Sequence, residues 1–236
     1  MLWKKLDQAI RSHEKLYFWW REDDVGDYVS ELQTILSILK RPMVLAVTPS
    51  FLIPKVKQIV QNTRLPVIQH GVDHINHAES GYQDEFPESI DYHVAADKIL
   101  KAKEALQIDF KDQFLPVYAP PWLMIPKNLS DFLLTKGFKE ISTYNPDKEK
   151  NLWNPDVDLI NWSKGLSFDT QEYVLERLLY KLTFTNHIGF LCHHRTIGDK
   201  GFEFIEKMLH FFDQYENITW YIPPVKAAQP ENNHAK

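Results

Sequence analysis

The stretch MVLAVTP, starting at Met43, constrains the fold of this chain most: it is a continuous apolar run closed by Pro42 on one side and Pro49 on the other. A strand that is apolar at every position is buried on both faces, as in parallel sheets covered by helices. Similar short runs recur along the chain: YFWW (17–20), LPVIQ (65–69), FLPVYA (114–119), FKEIST (138–143), VDLINW (157–162), IGFLCHH (188–194) and ITWYI (218–222). Between them lie segments with helical periodicity, at 2–15, 28–40, 51–61, 91–107, 127–136, 170–184 and 202–215. Gly137 follows one of these where a C-terminal cap belongs. Strands alternating with helices predict an α/β architecture with a parallel sheet.

An open doubly wound sheet and a closed barrel share this pattern, and the polar residues favour the barrel. Asp23 and Asp24 follow the first strand, His70 the third, Trp122 the fourth, Trp162 the sixth, and His193 with His194 the seventh. In a barrel of about seven to eight strands those carboxyl ends converge on one rim, where such folds place their active sites. With 236 residues, 44% of them hydrophobic, the chain can bury a sizeable core. One domain over 1–223 is expected, followed by a tail, 224–236, too polar and proline-rich to pack.

A net charge of −5 with no basic stripe argues against nucleic acid as a partner. The single cysteine, Cys192, excludes a disulfide framework and suits a reducing compartment. The first residues, MLWKKLDQAIRSHEKL, are charged throughout, unlike a signal peptide, and no apolar run is long enough to span a bilayer. The expectation is a soluble, cytoplasmic protein with no membrane partner. Its oligomeric state is not legible.

Four stretches bear on chemistry. VIQHGVDHINH (67–77) places His70, His74 and His77 at spacings of four and three, and a helical turn after Gly71 would bring the rings to one face. Such a cluster reads either as a metal site or as surface histidines. EDDVGD (22–27) reads either as a solvated acidic turn or as one carboxylate for a metal and one for general base work. CHHR (192–195) ends an apolar strand with two histidines, and strand alternation lets only one point into a barrel mouth. Leu191 and His193 would share that face unless a bulge re-aims His194. APPW (119–122) is either a packing loop or the aromatic wall of a sugar-sized pocket.

Together these stretches resemble the polysaccharide deacetylase (NodB-homology) superfamily of metal-dependent carbohydrate esterases, over roughly 17–222 and in family order. REDDVG is similar to the TFDDG-like first motif, with Asp23 and Asp24 in the matching places. His70-Gly-Val-Asp-His74 resembles the second, H-S/T-x-x-H, with Gly71 for Ser or Thr, and Leu191-Cys192-His193 resembles the fifth, Leu-x-His. WWREDD, IQHGVDHINHA, APPW and CHHR are similar one by one to the signatures WWRDDD, LQHG-x-x-H-x-x-HA, PPW and THH of a bacterial subgroup.

The resemblance implies a distorted (β/α) barrel binding a divalent metal, zinc first, through Asp24, His70 and His74. It implies Asp23 as the base that activates water and His193, or His194, as the acid that protonates the departing amine. His77 would support the metal site or exchange with His74. Trp122, Trp162 and Arg195 would bind a carbohydrate substrate, and the reaction would be removal of an N-acyl, or O-acyl, group from a sugar. The third motif departs from the family: Tyr118-Ala119-Pro120-Pro121-Trp122 lacks the arginine that orients the catalytic aspartate, so either Arg21 or Arg195 would stand in, or the base is tuned differently. The fourth motif is echoed only by Asp158 and Asn161-Trp162. The rival readings are a metal-dependent amidohydrolase acting on a non-carbohydrate amide, and a barrel that binds a glycan without hydrolysing it.

Overall fold

The computed structural model describes residues 1–143, 151–165 and 167–225. Eight strands and seven α-helices follow in chain order among them: α1 (Leu2–Ser12), β1 (Leu16–Val25), α2 (Val29–Ile38), β2 (Met43–Val47), α3 (Pro54–Thr63), β3 (Val67–His70), α4 (Tyr92–Phe110), β4 (Phe114–Ala119), α5 (Lys127–Thr135), β5 (Glu140–Ile141), β6 (Val157–Asp158), α6 (Gln171–Leu182), β7 (His187–Cys192), α7 (His194–Phe212) and β8 (Ile218–Trp220). Local chemistry explains several boundaries. Pro54 opens α3 at its first turn, where its missing N–H costs nothing. Asp91 caps α4 by accepting from the N–H groups of His93 and Val94, and Thr170 caps α6 through Tyr173. Gly137 takes φ +89° just past α5, as its position predicts.

All the strand pairs are parallel, in the order β5-β4-β3-β2-β1-β7-β6, with β8 beside the first residues of β1. The sheet curls into a distorted half-barrel in which β1, the longest strand, pairs with β2, β7 and β8. Among the described residues β5 and β6 form no ladder with each other, so the barrel keeps a seam there.

Strand alternation sorts the core into two layers. Met43, Leu45, Val47, Phe18, Trp20 and Phe190 pack outward against the helices. Val44, Ala46, Ile68, Val117 and Ala119 fill the narrow interior together with Trp153. Trp19 lies across Gly189, and a Cβ there would come within 2.5 Å of its ring, so glycine makes room for the indole. No helix among the described residues is long and apolar enough to cross a membrane.

Four local expectations change. The first strand does not stop at Trp20: β1 runs through Arg21, Glu22, Asp23 and Asp24, all buried. FKEIST and VDLINW shrink to the two-residue strands β5 and β6. The strand β7 ends at Cys192, and His194 already belongs to α7, which kinks at Gly198. No helix follows Gly71. Of the tail expected to fray, Pro224 accepts a hydrogen bond from Trp153 Nε1 and Val225 packs against the interior cluster; positions 226–236 lie outside the described residues.

Candidate active site

A cavity of about 700 Å³ opens at the carboxyl ends of the strands and gathers Asp23, Asp24, His70, His74, Asp158 and His193 along one wall. Non-glycine residues in the left-handed backbone region concentrate there. Seven occur among the described residues, and five of them, Asp24, Tyr28, His74, Trp122 and Leu123, line this cavity. Such conformations cost free energy and persist where surrounding structure over-determines them, which is typical of functional sites.

Asp24, His70 and His74 offer one ligand atom each within 4.8 Å of one another. Asp24 Oδ1 lies 3.3 Å from His70 Nε2 and 3.2 Å from His74 Nε2. His70 Nδ1 donates to the Ala119 carbonyl at 2.9 Å; because that oxygen can only accept, the neutral ring presents a lone pair at Nε2. A nitrogen lone pair and a carboxylate oxygen then face each other in a buried site, and neither atom is in a well-formed hydrogen bond. This arrangement needs a cation or a proton between the two. Burial disfavours charge on His70, but Asp23 and Asp24 outweigh it and raise its pKa; burial, with His70 beside it, lowers that of His74. Burial likewise opposes ionisation of Asp24, yet the histidines hold its carboxyl well below the ordinary range. Two nitrogens and one carboxylate oxygen suit a borderline divalent ion and leave coordination positions open. His77 is exposed, lies outside this cluster, and donates its backbone N–H to Asp84.

The segment that carries His74 owes its shape to a carboxylate. Glu85, 1% exposed, accepts from the N–H groups of Val72, Asp73 and His74 at 2.7–3.1 Å, and Tyr118 Oη lies 3.5 Å away. Gly71 takes φ +59°, and a Cβ there would meet Glu85 Oε2 at 2.6 Å and Pro121 Cγ at 2.7 Å. Nothing in the sequence separates Glu85 from the other acidic residues of its polar loop.

Asp23 sits beside this cluster, 3.9 Å from His70 Nε2, and is held by Arg21. Nε of Arg21 is 2.7 Å from Oδ1, and Nη2 donates to Oδ2 at 2.9 Å. The remaining nitrogen, Nη1, donates to Ser142 Oγ at 2.7 Å and to the Trp153 carbonyl at 3.2 Å, bridging the seam between β5 and β6. Burial pushes the Asp23 pKa up, but Arg21, with His70 and His193, outweighs it and keeps the carboxyl below its ordinary range. Of the two candidate arginines, Arg21 pairs with Asp23. Arg195 instead lies 3.3 Å from Asp27 and stacks over Phe51 and Tyr28 at the mouth of the cavity.

His193 and Leu191 both face the cavity, as strand alternation predicts. His193 Nδ1 is 3.9 Å from Asp158 Oδ1, and Trp162 meets its ring edge-on at 4.9 Å while donating Nε1 to Asp158 Oδ2 at 2.7 Å. Burial raises the Asp158 pKa. In the sequence this pair is signalled only by the echo of the fourth motif in Asp158 and Asn161-Trp162. His194, the alternative to His193 as the acid, lies outside the cavity. It is fully buried, its Nδ1 3.0 Å from Glu22 Oε1 on the opposite face of β1. Trp122 reaches the site with its ring 4.6 Å from that of His74.

No family model and no curated protein matches the sequence. Solved structures do match in fold. A family 4 carbohydrate esterase from Streptomyces lividans, in complex with acetate, superposes with a TM-score of 0.61 at 12% identity, covering 89% of this chain and 94% of that one. A Streptococcus mutans CE4 esterase gives 0.58 at 13%, covering 92% and 90%. A CE4 family pseudoenzyme from Bacillus anthracis gives 0.61 at 15%, covering 88% of this chain and 65% of its own. The chain thus spans just under two thirds of that pseudoenzyme.

Proposed function

We propose, from a fold shared with family 4 carbohydrate esterases and the site built on it, that the protein is a metal-dependent hydrolase removing an acyl group, acetyl first, from the nitrogen of an amino sugar or its polymer. The observation that carries this reading is the convergence of Asp23, the Asp24–His70–His74 cluster and His193 on one cavity. Asp24, His70 and His74 would hold the divalent cation, with zinc the first candidate from their two nitrogens and one oxygen. Once bound, the cation supplies Lewis-acid charge at the acyl oxygen.

The chain's own groups divide the proton work. Asp23, kept ionised by Arg21, accepts a proton from the attacking water. His193, at the end of β7, gives one to the departing nitrogen, while Asp158 and Trp162 hold its ring. Trp122 and Trp162 wall the sugar, and Arg195 stands at the entrance. His194, buried against Glu22, has no part in this scheme. The carbohydrate partner and a cytoplasmic location, which the lone buried Cys192 suits, belong to the same proposal.

A glycan-binding barrel without activity is the second reading, since one neighbour in fold is a pseudoenzyme. The Arg21–Asp23 pair weighs against it, because the base has an arginine partner despite the missing one in the third motif. Acetate release from N-acetylated amino sugars by the zinc-loaded protein tests the proposal. Release from simple amides alone would make it an amidohydrolase of another substrate class, and glycan binding without release would leave the silent barrel.

A further inference from the structure

We infer that Glu85 is a positioning residue that holds His74 in place to bind metal, an inference resting on the metal-site reading above. The loop from Gly71 to His74 contains no helix or strand, yet it must deliver His74, at φ +56°, to within 3.2 Å of Asp24. Three successive N–H groups in this loop, those of Val72, Asp73 and His74, all end on Glu85. A carboxylate is the side chain suited to this, because both its oxygens accept only and its charge strengthens each bond.

The carboxylate can come this close because position 71 is glycine. A Cβ there would press on Glu85 Oε2 at 2.6 Å, and the φ of +59° is itself unfavourable to other residues. Gly71, which departs from the Ser or Thr of the resembling motif, and Glu85, fourteen positions later in a loop with no recognisable pattern, are two halves of one device. The histidine rings differ in what holds them: His70 is fixed by its strand and by the Ala119 carbonyl, whereas His74 depends on its loop. Loss of Glu85 therefore weakens the His74 limb and spares the His70 limb.

Co²⁺ titration of the full chain, read by affinity and by the visible absorption of the bound ion, tests this. Glu85→Gln keeps the size of the side chain but turns one of its two acceptor oxygens into an NH2 donor and removes the charge that strengthens the three N–H bonds. Its Co²⁺ affinity falls about 10–100-fold, the usual effect of losing a residue that supports a ligand, and the spectrum shifts. The same change made in a His74→Ala background costs nothing further, since both act through one ligand. Additive losses in that pair, or an unchanged affinity and spectrum in Glu85→Gln when the unmodified protein binds Co²⁺, overturn the role of Glu85 alone. An unmodified protein that binds no Co²⁺ overturns the metal reading and this inference with it. If Glu85→Gln does not fold, Glu85→Asp, which withdraws the carboxylate by one methylene, undergoes the same measurements with the same outcomes deciding.

Discussion

Arg21 and Asp23 stand two positions apart on one face of β1, and the guanidinium of the first grips both carboxylate oxygens of the second, at 2.7 and 2.9 Å. The strand thus carries both the proposed base and the partner that keeps it ionised. The fork also reaches Ser142 and the Trp153 carbonyl, tying Asp23 to both sides of the seam.

Arg21→Ala leaves a buried carboxylate without its cation, and the expected loss of stability is about 3–5 kcal/mol, read by urea denaturation. Arg21→Lys keeps a charge but not the fork. The folded-state pKa of Asp23 lies below its unfolded value, so the stability it contributes is present above the ordinary carboxylate range and drains away as pH falls toward the lowered value. With lysine at 21 that pKa rises, and the acid limb of the kcat/KM profile moves to higher pH. A limb that stays put would mean that another group is the base.

His74→Ala should give a folded protein depleted of metal by elemental analysis. Excess zinc should raise the Tm of the unmodified protein, since saturation at about 100 times Kd stabilises by about 2.7 kcal/mol. The variant should show little of that gain. Full metal stoichiometry in His74→Ala would remove this residue from the ligand set.

Asp23→Asn preserves shape and deletes the proposed base. Turnover is expected to drop by about 10²–10⁴-fold with metal content intact. Parallel loss of metal and activity would instead make Asp23 a ligand.

The neighbouring histidines should separate in kind. His193→Ala loses turnover at equal metal loading while its melting curve changes little. His194→Ala removes the imidazole partner of the buried Glu22 carboxylate, and is expected to lose about 1–3 kcal/mol of stability with a smaller effect per folded molecule on turnover. The reverse order in turnover would hand the acid role to His194.

The strands and their parallel arrangement were legible because continuous apolar runs have few other uses. Asp24, His70 and His74, by contrast, were grouped only through the motifs they resemble, and folding brings their ligand atoms within 4.8 Å of one another. The acidic stretch after Trp20 was not legible. Charged residues in series suggest a solvated turn, but Arg21 finds Ser142 at a distance of 121 positions and Glu22 finds His194 at 172, partners no local spacing can announce. The histidine loop misled for a similar reason. Spacings of four and three imply a helix, whereas the actual agent is the Glu85 carboxylate collecting three N–H groups. Neither candidate arginine could be preferred until β1 was seen to extend through Asp23, putting Arg21 on the same inward face.

The place of β1 in the sheet also bears on how the chain acquires its shape. One edge of this early strand is met by β2, made soon afterwards, only from Trp20 onward; its first residues on that edge wait for β8, with Phe18 finally facing Trp220, and the whole opposite edge waits for β7. On a ribosome, β1 therefore emerges long before most of its neighbours exist, and its bare edge is open to pairing with other chains meanwhile. Closing loops of that length slows folding. The cavity beside Asp23 cannot be complete before β7 has docked against β1, because His193 follows that strand and Asp158 lies on β6 along its far edge.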